Sequence, residues 1–556
     1  MVDNTEIWTG ANSHLTFVPE SDLFLGFASN TTNLASAVTA EPSGTYAGLY
    51  QLDLGVLNTK STSGSAVSGV MKLVTGLYAG CVADFYTNGD AITHSLVIAD
   101  NDATSFYFHT DYANSSLNNA GAYVVIRKYG CPIPAAISSS QPTLLADNWL
   151  GLVETATFPN VEVELKQLNL QIGGSRNWTH QYKGIETASG ANVAVMANHG
   201  AWLYYALGQC TNISHTQTAE GSVADTTTSF VQSDSDSSND RYLIENDGAT
   251  GTGTFSSQGP FFYRVPKSQT GIHPPLVGGQ KTDGANTTMD LLTIPNLDGS
   301  NNIQYPITYT FNEVNGVILP SFTLEQTFFK SGEAANPYSV DADDQVWTRI
   351  ATGNVVNTLT LTANENEELK ITMDCLSKAV YEAPASYKPL AGKTFTSVGD
   401  LQNKSTVESF TTPFMFFDGS ISLFGQQYLK ISNMSLTINN NLQQKRYVGN
   451  YDRKSQSVVP AQRDYELTFT GFVTDKTLFT ELLNQSETTA DASRIDLQFT
   501  KDNGEEIRLK FDDYMVTTNT WTIPDDKGPI AVEWTIKPRT LVEDSCTVKT
   551  HWVLQG

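Results

Sequence analysis

Every second residue is apolar in run after run along this chain. In Asn357-Thr358-Leu359-Thr360-Leu361 and Leu369-Lys370-Ile371-Thr372-Met373 the large side chains fall on one face and the polar ones on the other, as in half-buried antiparallel strands. Asn519-Thr520-Trp521-Thr522-Ile523 and Val532-Glu533-Trp534-Thr535-Ile536 repeat the pattern at offsets of 162 and 163 residues. Helical spacing is confined to short stretches: Ala201–Gly208, with Leu203 and Leu207 one turn apart, and Asp475–Leu482, with Leu478 and Leu482 likewise. The pattern predicts an all-β fold with short helices.

The order of elements extends the match beyond single strands. Alternating Asn192–Met196 precedes the first short helix and Tyr465–Phe469 the second, so strand, helix, strand and strand recur in one sequence. This predicts two copies of one module, at 148–385 and 400–556, the second with a C-terminal extension. An N-terminal β domain is expected at 1–140, closing on Gly130-Cys131-Pro132-Ile133-Pro134 and Ser138–Gln141. From Leu207 to Asn357 there are 150 residues against 37 from Leu482 to Asn519, so the first copy carries about 113 extra residues at about 210–320. Thr211–Ser238 is rich in Thr, Ser, Asp and Gln, and Asn246–Gly259 in Gly and Thr, which suits long surface loops or a small subdomain built on turns, on the outside of an assembly or between its rings.

Charge narrows the partners. With 33 Lys+Arg against 58 Asp+Glu the net charge is −25, which disfavours tight electrostatic binding of nucleic acid or an anionic membrane. Met1–Glu6 has no basic region and no apolar stretch follows, so a cleaved secretory leader is not expected. No apolar run reaches the roughly 18 residues of a membrane helix. Cys81, Cys131, Cys210, Cys375 and Cys546 are odd in number and never form C-x-x-C, so buried free thiols are expected.

Catalytic and metal patterns are missing. The histidines show no H-x-x-x-H or H-E-x-x-H spacing, and neither a G-x-S-x-G elbow nor a P-loop occurs. Asp234-Ser235-Asp236-Ser237-Ser238-Asn239-Asp240 with Glu245 comes nearest to a calcium loop, but Asn239 stands where the sharp turn needs Gly and Arg241 adds a positive charge. It reads as a solvated acidic loop. Gly248-Ala249-Thr250-Gly251-Thr252-Gly253 lacks a following helix and a nearby Lys, and reads as a flexible loop. Phe261-Phe262-Tyr263 and Phe416-Phe417 read as core or interface fillers. The expectation is no enzyme, no cofactor and no metal.

Several short strings carry a family likeness. Phe416-Phe417-Asp418-Gly419 with Ile421-Ser422-Leu423-Phe424-Gly425, then Met434–Leu442 and Gly471-Phe472-Val473, resemble the core of tail tube proteins of tailed viruses. So do Ile172–Asn177, Trp202–Gly208 and Leu319–Glu325 in the first copy and, less specifically, Ile7–Gly10 with Val18–Glu20. The resemblance implies β-sandwich or barrel-like modules whose hairpins join across subunits around a lumen. It also implies a virion protein assembled in the host cytoplasm, with viral DNA and a tape measure protein in the lumen and sheath, baseplate or terminator proteins as further partners. Single-module members form sixfold rings, so a duplicated chain is expected to form homotrimeric rings with pseudo-sixfold symmetry. An acidic lumen is expected to repel phosphate. A carbohydrate- or receptor-binding β-rich adhesin is the alternative; it accounts for the composition but not for the repeated order.

Overall fold

The computed structural model describes residues 8–20, 22–28, 39–40, 44–54, 57–58, 73–87, 91–117, 122–131, 152–168, 177–215, 307–314, 319–330, 346–383, 412–423, 426–428, 430–448, 453–472, 495–523, 525 and 527–550. The protein is all-β, as the alternation predicts. Along Lys370–Ser377 and Asp464–Phe472 buried and exposed or part-exposed side chains alternate without a break.

The chain opens with β1 (Trp8–Pro19) and then forms a separate eight-stranded sheet. That sheet contains β2 (Leu23–Ala28), β3 (Thr39–Ala40), β4 (Tyr50–Asp53), β5 (Leu57–Asn58), β6 (Val82–Tyr86), β7 (Ile92–Asn101), β8 (Ser105–Phe108) and β9 (Tyr123–Ile126). Next come β10 (Leu152–Thr157), β11 (Asn160–Leu168), β12 (His180–Met196), the helix α1 (Trp202–Leu207), β13 (Gly208–His215), β14 (Ile307–Glu313), β15 (Phe322–Lys330), β16 (Val346–Asn364), β17 (Lys370–Ser377) and β18 (Ala379–Glu382). The remainder is β19 (Gly419–Leu423), β20 (Gln426–Tyr428), β21 (Ile431–Asn439), β22 (Gln443–Lys445), β23 (Ser457–Val459), β24 (Asp464–Phe472), β25 (Ile495–Thr500), β26 (Glu506–Thr522), β27 (Ala531–Leu541) and β28 (Cys546–Thr550).

One antiparallel sheet runs β10/β11-β12-β17-β16 and continues, through the pairing of β16 with β21, as β21-β24-β27-β26. Numbered by chain order within each half, both halves read first, second, fourth, third. A second sheet repeats as well: β1-β15-β16-β18 in the first half and β19-β25-β26-β28 in the second. Each half is thus a two-sheet module sharing its long third strand.

The bulges correspond residue by residue between the two halves. In the first strands the extra residues are Glu154, flanked by Val153↔Val195 and Thr155↔Ala194, and Ser432, flanked by Ile431↔Gly471 and Asn433↔Thr470. Superposing them makes Phe469 the counterpart of Val193. In the third strands the extra residues are Asn357, flanked by Val356↔Cys375 and Thr358↔Asp374, and Thr517, flanked by Val516↔Ile536 and Thr518↔Thr535. Superposing those makes Trp534 the counterpart of Met373. The independent pairing of second with fourth strands then closes the loop, because Val193 pairs with Met373 and Phe469 with Trp534. Chance would not close it, since any two-residue slip keeps the same faces.

Two expectations need correction. The sequence offsets align Leu359 with Trp521 and Ile371 with Trp534, whereas the bulges align Leu361 and Met373 with them: a slip of one period on each strand, invisible to the alternation. Nor does β1 belong with the rest of 1–140. It pairs with β15, and its Phe17 ring lies 5.1 Å from Trp202 in the core of the first module. The eight-stranded sheet is therefore inserted between the first two strands of that module.

Glu20 pins this insertion. Fully buried, it accepts hydrogen bonds from Gly130 N at 2.7 Å, Gly353 N at 2.8 Å, Thr323 Oγ1 at 2.6 Å and Ser321 Oγ. Burial pushes its carboxyl up and the four donors pull it back. Gly130 and Gly353 both have positive φ, and a Cβ on either would collide with Lys378.

Between the two sheets lies α1, apolar on nearly every side. Gly208 ends it at φ 106°, where a Cβ would strike Leu319 and Val314. Its last carbonyls are met by the second module: Asn440 Nδ2 donates to Ala206 O and Arg463 Nη2 to Leu207 O, each at 3.1 Å. The counterpart expected at Lys476–Leu483 lies outside the described residues. β13 and β14 pair as a stem, so the intervening segment leaves and returns at one place. The rest of the expected insertion, with Asp234–Glu245, Gly248–Gly253 and Phe261–Tyr263, also lies outside the described residues.

Candidate assembly interface

The internal seam is β16 against β21, from Thr358↔Asn439 to Asn364↔Asn433. Its counterparts at the two ends of the sheet are the second half of β26 and the β10–β11 edge. Among the described residues, Met515–Thr522 pairs with β27 alone and Asn160–Leu168 with β12 alone. An edge strand ladders on one side and can accept another strand on the other.

Side chains at the free edges match this reading. Leu361 and Ala363 in the seam are 0% and 1% exposed, whereas their counterparts Trp521 and Ile523 are 40% and 77% exposed. Beyond the body, β11 and the start of β12 form a two-stranded arm on which Val161, Val163, Leu165, Leu168, Tyr182 and Ile185 are all exposed. The second module's shorter arm, β22 with β23, is docked instead. Its Arg446 Nη2 donates to Glu186 O at 2.7 Å, and Glu186 N donates to Arg453 O at 3.2 Å, both at the base of the first arm.

The shared sheet has one buried face. Leu359, Ile371, Leu436, Leu467 and Ile536 join the common core, while Thr360, Thr372, Thr437, Thr468 and Thr535 lie on the other face, part-exposed. Three cations of that open face meet carboxylates. Lys370 meets Glu154 at 3.1 Å, Lys537 meets Glu466 at 3.5 Å and Arg539 meets Asp513 at 2.9 Å. The Glu154 carboxylate holds the Lys370 ammonium above its ordinary range.

A buried polar latch joins the modules. Lys501 Nζ donates to Glu505 Oε2 at 2.8 Å and to Asn198 O at 3.0 Å, and sits 4.2 Å from the centre of the Phe414 ring. Beside it His199 Nδ1 accepts from Ala201 N at 3.2 Å, and burial lowers its pKa to about 3. This histidine is a neutral structural group.

Phe416–Asp418 forms one 3-10 turn in which Asp418 Oδ2 accepts from Met415 N at 2.8 Å, with Phe416 against the core and Phe417 76% exposed. All five cysteines are free and buried. Among the described residues no three His, Cys, Asp or Glu converge as a metal site, and no helix is long and apolar enough to cross a membrane. The sequence reading missed the free edges and the latch. The edges had a signal, since Trp521 and Ile523 are large residues on a strand that its repeat partner matches with Leu361 and Ala363.

No curated protein matches the chain. The family model described as phage tail tube protein matches residues 150–533, from the first strand of the duplicated sheet nearly to its last. The match covers well over half of the chain and spans both sequence copies, so the chain belongs to the phage tail tube protein family.

Proposed function

We propose that this chain is the major structural subunit of the tail tube and that three copies close into a ring with pseudo-sixfold symmetry. The observation that carries it is the repeat of the internal seam by the two free edges. Among the described residues, the strands that repeat this pair at the two ends of the sheet each ladder with one neighbouring strand, and this supports a fit of the second module of one copy to the first module of the next. Such a contact is heterologous, and it gives a closed ring when the rotation closes.

The bulges support one register for the proposed contact. Leu361 faces Leu436 and Thr362 faces Ser435 in the seam; by the same register, in our reading, Trp521 faces Phe158 and Thr522 faces Thr157 of the next copy. Each chain supplies eight strands, counting β10/β11 as one, so three supply 24. At about 4.8 Å between strands and a tilt near 40°, the barrel is about 45–50 Å across at the backbone. That width admits a DNA duplex. In this reading the rings stack into the tail of the virion, hold the tape measure protein before release, and conduct the genome during ejection. Assembly takes place in the host cytoplasm, with sheath, baseplate or terminator proteins as further contacts.

Native mass measurement of a ring and averaged tube cross-sections test the stoichiometry: three 60.6 kDa chains are expected, and six would overturn it. A Thr157→Cys/Thr522→Cys chain tests the register. Oxidation should give a ladder ending at a covalent trimer, and cross-linking of Thr157→Cys to Thr520→Cys instead would reject the assigned pairing.

A further inference from the structure

We propose, resting on the tube reading above, that Phe158, Gln326, Phe328, Trp347 and Arg349 form the seat in the first module on which a second copy docks its segment 473–477, with Arg349 taking the carboxylate of Asp475.

The second module has the same place closed. Its bulge at Thr517 lies 160 residues beyond the one at Asn357, and the same offset carries past the corner of the strand, where Gly353 and Asp513, both of positive φ, fall on one another. Trp347 then matches Ile507 and Arg349 matches Leu509. Their ladder partners Phe328 and Gln326 match Phe499 and Leu497, and Phe158 matches Leu436. In the second module all five are apolar and at most 1% exposed. In the first, Trp347 is 36% exposed, and Gln326, Phe328 and Arg349 are part-exposed.

What closes the second module is a loop of the first. A Cβ on Gly200 would lie 2.8 Å from Ile507 Cγ1, so the backbone of 197–201 rests directly on Ile507, and Asn198 O accepts from Lys501 Nζ at 3.0 Å. This loop follows β12, whose last residue Met196 matches Phe472, the last of β24. Counted on from there, His199 matches Asp475 and Gly200 matches Lys476, while Trp202-Leu203 and Ala206-Leu207 fall on Leu478-Phe479 and Leu482-Leu483. Segment 473–477 lies outside the described residues, and its correspondence rests on the sequence. Between copies this segment meets Trp347 as Gly200 meets Ile507 within one chain.

The seat has the chemistry for an anion. The Arg349 guanidinium lies 4.6 Å from the centre of the Phe158 ring, 5.1 Å from Trp347 and 5.3 Å from Phe328, and its Nη2 donates to Gln326 Oε1 at 2.5 Å. Its Nε is buried without an acceptor. Among the described residues no carboxylate pairs with it, Glu382 across the ladder included, and burial holds it below its ordinary range. A desolvated guanidinium without an anion is unfavourable, and a carboxylate brought by a partner relieves it. The two seats differ accordingly. The internal one holds its own ion pair, Lys501 with Glu505, and receives the neutral His199; the outer one holds a cation without a carboxylate and receives an aspartate.

Two measurements on the full chain test this. Trp347→Cys/Lys476→Cys places thiols where Ile507 and Gly200 touch inside one chain, and the native cysteines are all buried. Oxidised tubes should give a covalent ladder that ends at the ring. Tubes whose thiols stay unlinked would overturn the seat while leaving the tube reading intact; a wild-type chain that forms no tubes would overturn that reading, and this inference with it. In the second measurement, Arg349→Glu should stay folded and lower the sedimenting tube fraction about tenfold or more, and adding Asp475→Arg to the same chain should restore it. Should Arg349→Glu not fold, Arg349→Met keeps an apolar stem in the seat and should raise the concentration needed for tube growth about tenfold. Wild-type growth by the folded Arg349 variant, or no recovery in the double variant, would overturn the pairing.

Discussion

The seam between β16 and β21 and the outer edges at β26 and β10–β11 are one strand pair seen twice, once joined and once apart. In the seam Leu361 is wholly buried by the second module, yet the larger Trp521 at the matching position stands 40% exposed. The ring is already partly covered within one chain, and burial of the remainder is worth about 1 kcal/mol or more once a partner strand covers it. The difference teaches what the proposed ring accounts for: a large apolar side chain at an edge that a neighbouring copy would cover. Breaking the two places should have opposite consequences. Leu361→Asp puts a charge into the common core and should cost about 4 kcal/mol or more, leaving little folded protein. Trp521→Asp should cost much less, about 1–2 kcal/mol, leave the chain folded and abolish tube growth. Denaturant unfolding and sedimentation of both variants check this, and loss of folding in Trp521→Asp would remove the contrast.

The comparison shows what a sequence of this kind discloses. Alternation made the strands, the buried faces of Leu359, Ile371 and Leu467, and the helix Trp202–Leu207 legible, because each is a local period of two or 3.6. The register was out of reach by one period, since the bulges at Asn357 and Thr517 leave both faces unchanged. Membership of β1 in the first module was hidden for another reason. Its partner β15 lies some three hundred residues away, and nothing local distinguishes a strand that pairs at that distance. The free edges are defined by pairing, which only topology displays.

The modules also differ in what is built upon them, and Glu20 separates the two. The first module carries the inserted domain, held through the four hydrogen bonds to this carboxylate. Glu20→Ala leaves the Gly130 and Gly353 amides buried without an acceptor and should cost about 3 kcal/mol. Proteolysis should then release the 22–131 region first. A variant that unfolded in a single step with wild-type stability would show that the carboxylate does not hold the domain.

A smaller effect sharpens the view of the seam from its far end, where His199 packs by Lys501 and Glu505. With a folded pKa of about 3 against 6.5 for the free side chain, the folded state binds the proton more weakly. Its contribution is fully present above pH 6.5 and is lost as pH falls from there towards 3. Between pH 6.5 and 5 the loss should be about 2 kcal/mol relative to His199→Asn, whose amide oxygen can still accept from Ala201 N. Parallel stability curves for the two proteins over that interval would show that the site stays hydrated.

The smallest expected effect bears on the open face, and its smallness is the point. Thr360 Oγ1 lies 3.4 Å from Thr437 Oγ1, a long contact between part-exposed groups. Replacing it in Thr360→Val keeps the shape and the strand preference while removing one weak hydrogen bond, so the cost should stay within about 0.5 kcal/mol. The neighbouring Leu359→Thr inserts a hydroxyl into the packed face and leaves space behind, and should cost about 3 kcal/mol. One position along the strand thus changes the penalty severalfold, because successive side chains enter different media. If Thr360→Val cost as much as Leu359→Thr, the threonine face of the sheet would be covered in the folded chain and the two faces would not differ as described.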